Sequence, residues 1–122
     1  MSQSKVLDSI SMKANSSFAA KQFLFAYVVG DQLADVCSAA SNDVIGVIQD
    51  NPVSGAMSSI AVAGTTKIVL GDTVTAGTRV MSKSDGTAIP KSGACYSAGK
   101  VIHGGVAGDI VEMIIEKMYF AS

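Results

Sequence analysis

From Phe23 onward, turn residues recur about every eight to twelve positions, and the segments between them are dominated by Val and Ile. The chain holds fourteen Val and ten Ile against four Leu. β-Branched side chains lose rotamer freedom in a helix but pack well on a pleated surface. This pattern excludes a helical bundle or a coiled coil and predicts an all-β fold, a small barrel or sandwich of short antiparallel hairpins.

The expected strands follow from the turns. Phe23 to Val29 ends at Gly30-Asp31, and Gln32 to Cys37 returns. Val44 to Gln49 is next, then a turn from Asp50-Asn51-Pro52 to Ser54-Gly55. Ser58 to Ala63 and, after Gly64, Thr65 to Leu70 read as two strands. The loop Gly71 to Gly77 leads into Arg79 to Lys83, and Ser84-Asp85-Gly86 is a hairpin turn because Gly accepts positive φ. Thr87 to Pro90, Lys100 to His103 and Ile110 to Met118 complete the set. In the last strand Val111, Met113 and Ile115 alternate with Glu112 and Glu116, as in a sheet with one wetter face. The expected core is Val47, Ile60, Val62, Ile68, Val80, Val111, Met113 and Ile115.

A faint repeat runs through these strands. Asp31-Gln-Leu-Ala34 matches Asp85-Gly-Thr-Ala88, Gly46-Val-Ile48 resembles Gly99-Lys-Val101-Ile102, and Gly55 and Gly108 each precede a strand. Duplication of a three-strand unit explains this, and so does ordinary hairpin chemistry. The first twenty residues stand apart, being polar and Ser-rich. Residues 1–20 are expected to form an N-terminal arm, with a marginal helix from Val6 to Met12, and residues 21–122 a single β domain. The arm reads either as a frayed end or as a segment that becomes ordered on a partner.

The charge balance narrows function. Nine basic and ten acidic residues leave a net charge of −1, and only 16% of the chain is charged against about 25% in an ordinary domain. Arg79 is the single Arg, and no basic run exists to follow phosphates or an anionic membrane, so neither nucleic acid nor membrane is an expected partner. No apolar stretch approaches the roughly 20 residues that span a bilayer. The first residues lack the apolar core of a signal peptide, which places synthesis in the cytoplasm. With a mean hydropathy of +0.39 and so little Lys or Glu, the exterior is either bland or covered by a partner.

Candidate chemistry is sparse. His103 is the only histidine, so a minimal hydrolase site would have to use it with a nearby Asp; otherwise it is a solvated residue at a strand end. Cys37 and Cys95 have neither zinc spacing nor a disulfide framework; they read as two free thiols, with a single bridge as the other arrangement. Asp31, Asp72, Asp85 and Asp109 each adjoin a Gly, where short acceptors close turns. No catalytic, cofactor-binding or metal-binding residue is assigned, and no cofactor is expected.

Six segments carry a resemblance over about Phe23 to Ile115. They are Phe25-Ala-Tyr-Val-Val-Gly-Asp, Val44-Ile-Gly-Val-Ile-Gln-Asp-Asn-Pro-Val-Ser-Gly, Ile60-Ala-Val-Ala-Gly-Thr-Thr-Lys-Ile-Val, Gly71-Asp-Thr-Val-Thr-Ala-Gly-Thr-Arg-Val, Ser84-Asp-Gly-Thr-Ala and Ala107-Gly-Asp-Ile-Val-Glu. In order and spacing they resemble the phage capsid cement, or head decoration, proteins, a family long described as a domain of unknown function. Gly99-Lys-Val-Ile-His departs from that family's usual Ile-Gly-Ile-Ala. The resemblance implies a non-enzymatic virion protein on the outer surface of an icosahedral head, commonly a homotrimer, with the major capsid protein as partner. A tail-tube, head-fibre or adhesin module is the competing expectation, and the His103 hydrolase a third.

Overall fold

A computed structural model describes residues 6–121. Nine strands and no helix occur among them: β1 (Val6–Ala14), β2 (Phe25–Gly30), β3 (Leu33–Val36), β4 (Val44–Ile48), β5 (Met57–Val69), β6 (Arg79–Ser82), β7 (Ala88–Pro90), β8 (Cys95–Val101) and β9 (Ile110–Phe120). The order across the sheet is β1-β3-β2-β4-β5-β9-β8-β6-β7, and β1 also pairs with β5. That last pairing closes β1, β3, β2, β4 and the first half of β5 into a five-stranded barrel. The all-β barrel expectation holds.

The N-terminal expectation does not. Val6–Ala14 is a strand, antiparallel to β5 with Ile10 opposite Ile60 and Met12 opposite Ser58. Its small polar residues concealed a period of two: Ser9, Ser11 and Lys13 face water while Met12 and Ala14 are buried. A lone short helix gains little, whereas a strand laid on β5 gains a full ladder. Met12, Ala14 and Phe18 join one core cluster with Ala26, Ala34, Ile48 and Ile60, so residues 6–20 belong to the domain rather than to an arm. Residues 1–5 lie outside the described part.

Three other expectations shift. Ser58–Ala63 and Thr65–Leu70 form one strand, because the ladder runs on through Gly64 despite its positive φ. The strand expected from Lys100 to His103 begins earlier, at Cys95, where small Ser, Ala and Gly side chains hid it. Glu112 is buried, so the face of β9 read as wetter is partly covered there. Six of the eight expected core residues are buried, while Val62 and Ile115 are half-buried.

The repeat is structural and larger than three strands. The first unit is β1 to the first half of β5; the second is the other half of β5 through β9. Many long-range backbone bonds of one have a counterpart in the other. Ala14 N–H donates to the Ala56 carbonyl as Leu70 does to Asp109, and Phe18 to Pro52 as Val74 to Gly105. Likewise Asn15 donates to Ala34 as Gly71 to Ala88, and Ile48 to Leu24 as Val101 to Thr78. The parallel pairing of Ala14 with Ala34 recurs as the parallel bridge of Leu70 with Ala88. Ordinary hairpins share turn types, not this whole set of long-range bonds, so duplication of a five-strand unit is the better account.

Core positions repeat too. Met12, Ala14, Phe18, Ala26, Ala34, Ile48 and Ile60 correspond to Ile68, Leu70, Val74, Val80, Ala88, Val101 and Met113, all buried in the second cluster. That cluster also takes in Phe25, Cys37, Val44 and Val47 from the first unit, so the two units share a packed boundary.

Two consequences are measurable. Ile60 is fully buried, so Ile60→Ala should lower unfolding free energy by about 2–5 kcal/mol in chemical denaturation. Gly46 and Gly99 occupy equivalent bulges, where an added Cβ would lie 2.0 Å from the Ala61 carbonyl oxygen and 1.9 Å from that of Ile114. Gly46→Ala and Gly99→Ala should each destabilise by more than about 2 kcal/mol, since backbone must move. A loss under half that in either would break the equivalence.

Candidate interaction surface

The residues singled out for chemistry are dispersed. His103 follows the end of β8 with its side chain half exposed; its nearest acid is Glu112, with Nε2 to Oε1 at 3.9 Å. Cys37 and Cys95 are both buried and free. No group of three His, Cys, Asp or Glu gathers around a point among the described residues, and no pocket opens between them. Every buried side-chain nitrogen and oxygen of the described residues has a hydrogen-bond partner, so none is left aimed at a ligand.

The turn acids do what their neighbours suggested. Asp72 accepts from Thr73 N–H at 2.8 Å, and Asp109 Oδ2 from Val106 N–H at 3.0 Å. Asp85 accepts from both the N–H and hydroxyl of Thr87, and that hydroxyl holds its carboxyl below the ordinary range. Arg79 is equally occupied. Its guanidinium pairs with Glu116, donates to Ser97 Oγ at 3.1 Å and to the Glu116 carbonyl at 2.9 Å, and lies against the Phe120 ring. The single Arg therefore ties β6 across β8 to β9.

What the molecule offers its surroundings is apolar and nearly uncharged. Sequence reasoning anticipated such an exterior without locating it. Four of the large exposed apolar side chains, Ile110, Ile114, Met118 and Tyr119, lie on β9. Others sit on two turns that the repeat makes equivalent. Val53-Ser-Gly-Ala-Met57 leads into β5, and Val106-Ala-Gly-Asp-Ile110 leads into β9. In the first, Ala56 N–H donates to the Val53 carbonyl and Gly55 to Ala14; in the second, Asp109 donates to Val106 and Gly108 to Leu70. Gly55 and Gly108 have φ of 84° and 92°, which a Cβ disfavours. The signal in the sequence is an apolar residue, Val53 or Val106, inside a turn otherwise built of Gly, Pro and small residues.

The burial of Cys37 has a chemical consequence. Desolvation pushes its thiol up to about 12, opposed by a hydrogen bond with Ser82. The thiolate is the reactive form, so native Cys37 should resist iodoacetamide at pH 8 and be alkylated fully in denaturant. Mass spectrometry of labelled peptides checks this. The raised value also means that the unfolded chain loses this proton first. Stability should therefore fall as pH climbs from about 9 towards 12.

No family model and no curated protein matches this chain. Among solved structures it is similar to the head fiber gp8.5 N base in bacteriophage phi29, at 21% sequence identity. That likeness covers 93% of this chain and 97% of the other, with a TM-score of 0.65, so the two share a fold along nearly their whole lengths.

Proposed function

We propose that this chain is a non-enzymatic structural protein of a phage virion that sits on the outer surface of an assembled head and cements it. The observation that carries this reading is the shared fold with a head-fibre base over 93% of the chain. The cement-family resemblance in Phe23 to Ile115 points the same way. The physical character of the surface supports both, being poor in charge and apolar on β9 and at two turns. On this reading the partners are the major capsid protein and sister copies in a homotrimer, and His103 has no catalytic part.

A second reading, the base of a head fibre, is favoured by the similar structure's being such a base in its own phage. The two differ in what they ask of the shell. A cement binds the assembled lattice and not its dispersed subunits, and such a ligand stabilises by about 2.7 kcal/mol per site at a hundredfold excess over Kd. A fibre base needs only to hold on and carry a fibre.

The experiment is to melt purified heads with and without the protein, across a salt series. Cementing predicts a higher disruption temperature that persists through a few hundred millimolar salt, because apolar contacts are little screened. Binding without a rise in that temperature, coupled to loss of fibres when the protein is absent, would favour the base. Heads that neither bind nor stabilise would remove both.

A further inference from the structure

The two equivalent turns share something the repeat of the core does not require. Val53 is 69% exposed and Val106 55%; Met57 is 51% exposed and Ile110 53%. In both turns the backbone carbonyl of the Val closes the bend, so its side chain could be of any kind without loss to the fold. Other equivalent positions have diverged: exposed Val29 corresponds to exposed Lys83, and half-buried Gln49 to exposed Ile102. At the tips alone, an exposed Val and an exposed long aliphatic residue have stayed paired in both units.

We infer that the two tips form a bivalent docking device, and that its occupants are two neighbouring copies of one shell protein, each presenting an equivalent uncharged apolar site. This rests on the head-surface reading and names how the chain grips that surface. Area decides that the tips act together. Two aliphatic side chains fall far short of the about 800 Å² per partner that a stable interface needs. Neither tip holds a partner alone. Two weak contacts on one rigid body do hold, because the second forms at high effective concentration.

Geometry decides that the sites belong to separate copies. Met57 starts β5, and Ile110 pairs with Val69 at the other end of that strand. Thirteen residues at about 3.3 Å each put the two tips at opposite ends of a strand whose contour is roughly 40 Å, the upper limit of their separation along it. Two matching contacts at that spacing call for two matching sites, which a repeating lattice supplies. Charge decides the character of those sites. No charged residue lies between Pro52 and Met57, and Asp109 in the other tip turns its carboxylate back onto Val106 N–H. A charged partner surface would be desolvated there without compensation.

The test uses Val53→Asp, Val106→Asp and the double variant, with purified heads lacking this chain as the probe. Both positions are exposed, so circular dichroism and melting temperature should match the unaltered protein. Each single variant should bind heads about a hundredfold more weakly, mainly through faster release, and the two losses should be alike. The double variant should show no saturable binding. If the unaltered chain binds heads and either single variant binds as well, the bivalent inference is overturned while the head-surface reading stands. If the variants keep head binding but lose self-association in sedimentation, the tips cover a sister copy and the inference is likewise overturned. If the unaltered chain does not bind heads, both fall.

Discussion

Strand β5 is the element on which the rest of the molecule hangs. From Met57 to Gly64 it pairs with β1, with β4 on the opposite edge at Ile60 and Ala61. From Thr65 to Val69 it pairs with β9. One continuous backbone thus serves as the last strand of the first unit and the first strand of the second. The handover falls at Gly64, whose positive φ lets the ladder bend from one partner to the next. A flexible linker between two small barrels would leave each with a marginal core. Sharing a strand instead lets Phe25, Cys37, Val44 and Val47 of the first unit pack into the core of the second.

The repeated cores show how one backbone plan accepts different sequences. Ala14 and Phe18 in the first unit correspond to Leu70 and Val74 in the second, so volume lost at one position returns at its neighbour. Ala26 beside Ile48 becomes Val80 beside Val101. Cores tolerate such exchanges when total volume and pattern are kept. Backbone demands are met less uniformly: Phe23 and Gln32 hold φ of 67° and 54° where the second unit has Gly77 and Gly86. Non-glycine residues at these angles carry local strain that surrounding bonds must hold. Phe23 is held by donating to the Ile48 carbonyl at 2.7 Å.

These features give the proposed function its physical sense. Buried polar groups among the described residues are satisfied, Asp72, Asp85 and Asp109 accept hydrogen bonds within turns, and the one Arg is tied into the sheet. The groups without internal duty are aliphatic side chains at the two tips and along β9. A rigid body with such an exterior is suited to contact with other protein surfaces.

By itself, the sequence determined the fold class and most of the strand list, because both depend on local properties. β-Branched runs favour extended backbone, and turns need Gly, Asp or Pro at particular positions whatever the distant surroundings. It also carried a trace of the repeat, in Gly46 with Gly99, where a close carbonyl leaves no room for a Cβ, and in Ala34 with Ala88, both fully buried. The tertiary structure alone decided the fate of Val6–Ala14, the continuity of β5 and the register that buries Glu112. Each depends on which strand lies alongside, and pairing partners far apart in sequence leave no local mark. The candidate surface was legible only as a shortage of charge. Its location at Val53, Met57, Val106 and Ile110 emerged from folding, since exposure is a property of neighbours rather than of the residue.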